Sequence, residues 1–449
     1  MISKGIWRNL KSLSTLAGPG RKIFAKLSKN IDLAKLNSKD RDQLKGHLIK
    51  MADQMGSLKG SFMKVGQMFS VYGEYLLDEE LNKYLVELQS NAKPIEWSVM
   101  EPVIQSTYKD HYSQLVINPI PIASASIGQV YKAEKSSIKL AVKVQYPNVD
   151  LAIDSDLKLI ETLLSLTGLA PGMPSMSEIK NELRDMMEQE LNYEIESKWY
   201  HFFKSQLTSD QRFIVPEVIA EFSSKNVLTM SYEPSQPLSK ALVDSLSEYE
   251  KNHLADSFLE LYLRELFLWG AIQTDPHHGN FGVRLNENSD PQWVLYDFGA
   301  VRKLSPIFLD PYKKMIHNSL LKDWDNVEAN AIELGFLKPK DPPELKELFR
   351  HFCYLMTEPF DLPREEIRDL YTKEGHYRWH KSDLPLRLSA QVRLIKDGFP
   401  LRAPPQEVVF IDRKLVGVFI TLSKLKCQVD ARAELLKYMP GETISTSNE

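Results

Sequence analysis

The sequence is poor in cysteine, has no surplus of basic residues and contains no long apolar run. Its 449 residues include two cysteines, Cys353 and Cys427, which lie far apart in the chain. This number excludes a disulfide scaffold and gives no zinc-binding spacing, so it favours a reducing compartment. The net charge of -4 argues against a nucleic-acid-binding protein, which usually carries a basic surplus. No apolar run approaches the roughly 20 residues that a membrane-spanning helix needs.

The N-terminal segment, residues 1–31, departs from the mixed charge of the rest of the chain. It contains seven basic residues and no acidic residue. Ile2, Ile6, Leu10 and Leu13 recur at helical spacing, which is typical of a basic amphipathic helix on an anionic membrane surface. A mitochondrial transit peptide and a solvated terminus fit the same composition, so all three interpretations stay open.

Apolar periodicity divides the remaining chain into three predicted parts, and together they indicate an α+β fold. Residues 32–115 have helical spacing, residues 116–235 contain short β-branched runs with an inserted helix, and residues 236–449 are mostly helical. The individual elements predicted are a hairpin of residues 130–133 with 138–145, helices over 51–69, 79–89, 154–169 and 177–203, an alternating strand region over 214–232, and one late strand over 293–296.

Three polar side chains follow the spacing of a phosphoryl-transfer site. Asp275 and Asn280 match the D-x-x-x-x-N catalytic loop of kinases, and Asp297 begins an Asp-Phe-Gly sequence further along. In such a site one Asp accepts the proton of the attacking hydroxyl, while the Asn and the second Asp hold Mg²⁺ against phosphates. We therefore predict Asp275 as the catalytic base and Asn280 and Asp297 as the metal ligands.

One lysine lies upstream in an apolar strand. Strand alternation places Lys143 on the face opposite its valine neighbours, where its ammonium can reach the phosphates of ATP. The lysine needs an acidic partner on the following helix. Glu194 and Glu196 lie on opposite flanks of that helix's apolar stripe, and periodicity does not choose between them.

Two adjacent histidines, His277 and His278, lie in the loop between Asp275 and Asn280. Adjacent side chains rarely ligate one ion, and the sequence offers no third ligand beside them. We expect one of the two to support the loop through a hydrogen bond.

Together these residues resemble the UbiB/AarF family of atypical kinase-like ATPases, which is linked to coenzyme Q (ubiquinone) biosynthesis. The resemblance covers roughly residues 20–435. Its most specific element is Lys64-Val65-Gly66-Gln67, which matches the KxGQ signature of the family's N-terminal helical extension. Residues 123–130 are similar to the alanine-rich loop that replaces the glycine-rich loop of protein kinases. Residues 190–193 lie where the family has its ExD motif.

The resemblance implies a protein-kinase-like two-lobed fold with an N-terminal helical extension, and it assigns roles to individual residues. Glu196, rather than Glu194, is implied as the partner of Lys143. The implied catalytic residues are Lys64, Lys143, Glu196 and Asp275. The implied nucleotide-binding residues are Ala123, Ser124, Ala125, Ser126, Ile127, Gly128, Val130, Lys143, Met230 and Tyr232. The implied regulatory residues are Lys64, Gly66, Gln67, Glu190 and Asn192.

The function implied is that of an ATP- and Mg²⁺-dependent atypical kinase or ATPase that supports ubiquinone biosynthesis or related lipid metabolism. The expected partners are ATP, an anionic membrane surface, a lipid or quinone-precursor substrate and other ubiquinone biosynthesis proteins, with no nucleic acid. The expected location is cytoplasmic and peripheral on the inner face of the membrane, with the mitochondrion as the alternative.

Two other functions compete with this interpretation. Small-molecule phosphotransferases of the aminoglycoside or choline kinase type share the pattern of Asp275, His277 and Asn280, but the KxGQ signature argues against them. A nucleotide-sensing pseudokinase scaffold would not need to retain the complete catalytic set. One residue also departs from the family: Asn192 stands where the ExD motif has Asp, which predicts a weaker acidic contact to metal or to Lys64.

Overall fold

The computed structural model of the protein describes residues 94–125, 127–150, 184–275, 277–286, 290–399 and 406–439. The chain forms two compact units. The first comprises Met1–Glu96, Ser124–Gly128 and Tyr146–Met187, and most of it lies outside the described residues. The second comprises Trp97–Ala123, Gln129–Gln145 and Glu188–Glu449. The helices predicted over 51–69, 79–89 and 154–169 also lie outside the described residues, and the predicted domain boundaries stay predictions.

Nine strands are found in the described part of the chain, and they form three sheets. The strands are β1 (Val116–Ala125), β2 (Gly128–Lys135), β3 (Ile138–Gln145), β4 (Phe213–Ile214), β5 (Val227–Ser231), β6 (Ala271–Gln273), β7 (Phe281–Leu285), β8 (Pro291–Leu295) and β9 (Val301–Lys303). The first sheet has the order β1-β2-β3-β5, the second β4-β8-β7, and the third β6-β9.

The predicted hairpin is confirmed as β2 and β3. Its two turn residues, Ser136 and Ser137, have φ values of 48° and 70°. Such positive values at both central positions are typical of the type I′ turns that join two adjacent antiparallel strands. β3 then pairs with β5 in antiparallel register, with Lys143 opposite Leu228 and Ala141 opposite Met230. Lys143 therefore lies on an inner strand of its sheet.

A helix, α1 (Trp97–Tyr108), packs on this first sheet. Its buried residues, Met100, Ile104 and Tyr108, recur every four positions and so form one face. The Tyr108 hydroxyl lies 2.6 Å from the Thr229 hydroxyl on β5, which satisfies two buried polar groups with each other.

The long helix predicted over 177–203 is interrupted, so that prediction was wrong as a single element. Residues 184–190 are helical, Leu191 and Asn192 are not, and α2 (Tyr193–Leu207) then begins. The Asn192 side chain accepts a hydrogen bond from the Glu194 backbone N–H at 3.0 Å. Asn is a strong N-cap residue because its side-chain oxygen pairs with a free N–H of the first turn. Asn192, placed by resemblance at a regulatory position, therefore caps α2.

The prediction of one late strand was also incomplete, because β6, β7 and β9 occur in the same region as β8. β6 and β9 have three residues each, which is too short for a period of two to be recognised. β7 contains Gly282 and Arg284 instead of a β-branched run. The combination of helices and strands is nevertheless that of the expected α+β class.

The rest of the second unit is helical. The helices are α3 (Lys240–Ser245), α4 (Glu248–Leu263), α5 (Pro306–Leu321), α6 (Trp324–Glu333), α7 (Pro343–Met356), α8 (Leu384–Gly398), α9 (Gln406–Leu425) and α10 (Ala431–Leu436), with a π-helical turn over Arg264–Trp269. Trp293 of β8 lies in this core and donates its indole N–H to the Leu254 carbonyl of α4. Cys353 and Cys427 are buried free thiols. Among the described helices, none combines the length and the apolar character needed to span a lipid bilayer.

Candidate active site

Two nested antiparallel strand pairs bring Asp275, Asn280 and Asp297 together. β7 and β8 pair with Phe281 opposite Leu295, so Asn280 and Tyr296 lie side by side at the open end of this hairpin. The Tyr296 N–H donates to the Asn280 carbonyl at 2.8 Å. β6 and β9 pair around the outside of the hairpin, and the N–H of Thr274, which precedes Asp275, donates to the Ala300 carbonyl. Strand register thus explains why Asp275, Asn280 and Asp297 have this spacing in the sequence.

Lys143 forms a buried ion pair with Glu196 and contacts Asp297 as well. Its ammonium lies 2.7 Å from Glu196 Oε1 and 3.0 Å from Asp297 Oδ2. Glu196 is buried and belongs to the inner face of α2, whereas Glu194 is exposed. The structure therefore resolves the choice that periodicity left open. It also joins three residues that are separated by up to 154 positions in sequence.

The charges in this cluster shift its protonation equilibria in definite directions. Burial raises the pKa of Glu196 to about 7, and the attraction of Lys143 offsets this rise only in part. Burial disfavours the charged form of Lys143, yet the Asp297 and Glu196 carboxylates outweigh it and hold the pKa of Lys143 well above its ordinary value. The Lys143 ammonium therefore forms ion pairs with two carboxylates, those of Glu196 and Asp297, and Asp297 is a predicted metal ligand.

The backbone around Asp297 is held on both sides. The Tyr200 hydroxyl, one turn after Glu196 on α2, donates a hydrogen bond to the Tyr296 carbonyl. On the other side, the Gly299 N–H donates to Asp297 Oδ1 at 2.9 Å. A Cβ added to Gly299 would meet Glu190 Oε2 at 3.1 Å and Asp297 Oδ1 at 3.2 Å. The glycine therefore lets two carboxylates approach the same backbone segment closely.

The loop from Asp275 to Asn280 is also stabilised internally. The Asn280 side-chain amide donates to the Asp275 carbonyl at 3.2 Å, and the Gly279 N–H donates to His277 Nδ1 at 3.0 Å. His277 thus has the supporting role that was expected for one of the two histidines. The Asp275 carboxylate lies 3.3 Å from the guanidinium of Arg413, a residue of α9.

The cluster offers oxygen atoms as donors for the predicted metal ion. Mg²⁺ prefers oxygen ligands and is usually held by one or two carboxylates together with substrate phosphates. Asp297 offers a carboxylate and Asn280 an amide oxygen. Within the described ranges, no group of three or more His, Cys, Asp or Glu side chains is arranged to hold a metal ion. This donor set fits a cation that is shared with nucleotide phosphates better than one held by protein alone.

The predicted nucleotide-binding residues lie on several elements, and their role stays a prediction. Ala123, Ser124 and Ala125 end β1, Ile127 follows in a turn, and Gly128 and Val130 begin β2. Met230 is a buried residue of β5, and Tyr232 follows that strand directly. Among the predicted site residues, the nucleotide-binding Ser126 and the regulatory Lys64, Gly66 and Gln67 lie outside the described ranges.

Four site residues were not predicted from the sequence. Glu265, Gln273 and Lys414 line the same cavity as Asp275, Asn280 and Asp297. Arg413 contacts Asp275 from the neighbouring position on α9. Of these four residues, Gln273 alone could have been suspected from the sequence, since it lies two positions before Asp275. Arg413 and Lys414 lie about 140 residues further along the chain, and no local pattern connects them with the site.

Comparisons with known proteins agree with the geometry. The ABC1 atypical kinase-like domain matches residues 87–331, which is more than half of the chain. The chain is 28% identical over 376 residues to "Atypical kinase coq-8, mitochondrial" of Caenorhabditis elegans, covering 83% of this chain and 48% of the relative. It is 27% identical over 393 residues to "Atypical kinase COQ8, mitochondrial" of Saccharomyces cerevisiae, covering 86% of this chain and 75% of the relative. The chain therefore spans about half the length of the worm protein and three quarters of the yeast protein.

A solved structure supports the fold. Rv3197 of Mycobacterium tuberculosis, determined in complex with erythromycin, superimposes with a TM-score of 0.58 at 24% sequence identity, covering 89% of this chain and 98% of that one. At this identity the likeness concerns the fold alone. The domain match, the two relatives and the Lys143–Glu196–Asp297 cluster lead to one conclusion. The chain belongs to the ABC1 atypical kinase-like family, also known as the UbiB family.

Proposed function

We propose that this protein binds MgATP and catalyses phosphoryl transfer or ATP hydrolysis. The observation that carries the proposal is the Lys143 ammonium, which lies between Glu196 and Asp297. The hydrogen-bonded loop from Asp275 to Asn280 is held beside Asp297 by the two strand pairs. Removing these charges from water costs free energy that their mutual attraction only partly offsets, so stability alone does not explain the cluster. Phosphoryl transfer needs a cation, a base and a metal-binding acid, and Lys143, Asp275 and Asp297 are the candidates for these three roles.

Each residue has a role in the proposal. Lys143, oriented by Glu196, binds the α- and β-phosphates. Asn280 and Asp297 would hold Mg²⁺, which would supply positive charge against the negative charge that develops during transfer. Asp275 accepts the proton of the attacking hydroxyl or water. The hydrogen bond from Asn280 to the Asp275 carbonyl keeps the base and the metal ligand in one rigid loop.

The acceptor class and the location follow from resemblance and belong to the same proposal. Relatives at 27–28% identity carry names that place them in the mitochondrion. We propose a role in ubiquinone biosynthesis or related lipid metabolism, at a membrane surface, with a lipid or quinone precursor as the acceptor and with other ubiquinone biosynthesis proteins as partners. The resemblance of Lys64-Val65-Gly66-Gln67 to the KxGQ extension, which covers the peptide cleft in the family, favours a small acceptor, or water, over a protein substrate.

The substitution Asp297→Asn tests the proposal. It removes the carboxylate that offsets both metal and phosphate charge, so we expect MgATP-dependent stabilisation and ATP turnover to be lost. Thermal unfolding with and without MgATP is the measurement, because a ligand at about 100 times its Kd stabilises the folded state by about 2.7 kcal/mol.

The matched control is Asp244→Asn, the same chemical change at an exposed position of α3. This variant is expected to respond to MgATP like the wild type. An unchanged unfolding midpoint of the wild type at millimolar MgATP would contradict the proposal directly.

A further inference from the structure

One buried side chain connects the backbones of the two acids of the candidate site. The Gln273 amide nitrogen donates to the Asp297 carbonyl at 2.8 Å, and its amide oxygen accepts the Asp275 N–H at 2.5 Å. Both ends of one planar amide are therefore used, one on each acid. Because the amide is planar, Gln273 adds a rigid link between two backbone segments that the β6–β9 pairing already brings together.

Gln273 is in turn held by a buried charge. Its backbone N–H donates to Glu265 Oε2 at 2.9 Å. Glu265 is 1% exposed and lies in the π-helical turn that follows α4. Short π-helical turns inside α-helices are frequent at functional sites. The glutamate is neutralised by Lys414 of α9, whose ammonium lies 3.1 Å from Oε2 and 3.2 Å from Oε1.

We propose that Glu265, Lys414 and Gln273 form a positioning relay that sets the distance between Asp275 and Asp297. In this relay Lys414 forms an ion pair with Glu265, Glu265 accepts the backbone N–H of Gln273, and the Gln273 amide links the two acids. None of the three is a catalytic residue, because each acts through Asp275 or Asp297. The inference rests on the proposed phosphoryl-transfer function and adds the residues that give the site its geometry.

Burial and charge argue against a purely stabilising pair. Burial raises the pKa of Glu265, and Lys414 and the Gln273 N–H oppose this rise. A buried ion pair is often no more stabilising than apolar residues of similar volume. What an apolar pair cannot supply is an acceptor for the Gln273 N–H, and a buried N–H without an acceptor destabilises the folded state. Without the Glu265 acceptor, the Gln273 N–H could find a new partner only if β6 shifted. Because β6 leads directly to Asp275, such a shift would move the proposed base.

Two double variants separate positioning from stability. Glu265→Gln with Lys414→Met removes both charges but keeps an oxygen that can accept the Gln273 N–H. Glu265→Leu with Lys414→Met removes the same charges and the acceptor. We expect the Leu form to have a kcat about 10- to 100-fold below that of the Gln form, since small displacements of a reacting group have effects of this size. The KM for ATP is expected to be similar in the two forms.

A third variant tests the last step of the relay. Gln273→Leu removes both spacing hydrogen bonds without altering the charged pair, and it is expected to lower kcat as the Leu double variant does. This variant also gives the answer if the Leu double variant does not fold. Equal kcat in the Gln and Leu forms, or an unchanged kcat in Gln273→Leu, would overturn the relay. Absence of turnover in the wild type would instead contradict the proposed function, so the two failures are distinguishable.

Discussion

At the scale of single residues, Lys143 and Glu196 show how burial alters ordinary side-chain chemistry. In water a lysine and a glutamate would both be charged at neutral pH and would interact weakly. Here the Lys143 side chain is 8% exposed and that of Glu196 2% exposed. The ammonium keeps its charge because two carboxylates surround it, while burial works against the charge on Glu196. The protonation of this pair is therefore expected to change with pH at the Glu196 carboxyl.

This sensitivity gives a prediction about stability. Burial raises the pKa of Glu196 to about 7 from an ordinary value of 4.5. Between these values the folded protein binds a proton that the unfolded chain has released. The Glu196 contribution to the free energy of unfolding should therefore fall as pH rises from about 5 to 7, and level off above 7. We expect the difference between wild type and Glu196→Gln to follow this trend in denaturant titrations at several pH values.

The neighbouring glutamate provides the control. Glu194 lies two positions away on the exposed side of α2, and Glu194→Gln should give a difference from wild type with no such trend. A pH-independent difference for Glu196→Gln would show that the buried carboxyl is ionised throughout this range.

At the scale of elements, α4 links a local sequence signal to the site. The helix begins with a capping box, in which the Ser247 hydroxyl accepts the Glu250 N–H at 3.2 Å and the Glu250 carboxylate accepts the Ser247 N–H at 2.7 Å. Its later turns carry Phe258 and Leu261, which line the same cavity as Asp275 and Asp297. The cap is exposed, but it fixes the start of a helix whose far end passes into the π-helical turn with Glu265.

Ser247→Ala should destabilise the protein through this cap alone. The expected loss is about 1 kcal/mol of the free energy of unfolding, because one N–H of the first turn loses its acceptor. Ser205→Ala is the matched control, since Ser205 is an exposed serine near the end of α2 whose hydroxyl donates to the Phe202 carbonyl of the same helix. Its effect should stay within about 0.5 kcal/mol. Equal losses in the two variants would mean that the capping box contributes nothing specific.

At the scale of the whole molecule, charge is unevenly distributed. The chain has a net charge of -4, yet residues 1–31 carry seven basic residues and no acidic one. This segment lies outside the described residues, so its interpretation stays a prediction. An excess of positive charge next to apolar residues attracts anionic lipid, and salt screens this attraction over about 8–10 Å.

We expect the full chain to float with anionic liposomes at low ionic strength and to be released as salt is raised. A fourfold Lys-to-Gln variant at Lys4, Lys11, Lys22 and Lys26 should lose this binding. The matched control changes the same number of exposed lysines elsewhere, namely Lys139, Lys240, Lys338 and Lys340. Recovery of the wild type entirely in the soluble fraction would rule out this surface interaction.

The sequence by itself determined the general fold class, and it predicted the residues of the candidate site. Asp275, Asn280 and Asp297 follow a fixed spacing, and that spacing reflects two short antiparallel pairs whose register places all three together. Lys143 was recognisable because its apolar strand precedes Asp275, Asn280 and Asp297 in the order of a kinase-like site. Local patterns of this kind survive in sequence because they are set by neighbours a few positions away.

Only the tertiary structure decided which distant residues meet. Glu194 and Glu196 are equivalent by helical periodicity, and the ion pair of Glu196 with Lys143, which also contacts Asp297, selects Glu196. β6 and β9 are too short to show a period, and they exist because they pair with each other. Lys414 and Arg413 look like ordinary surface cations in the sequence. They reach Glu265 and Asp275 because α9 packs on α4, and such long-range packing leaves no local pattern to read.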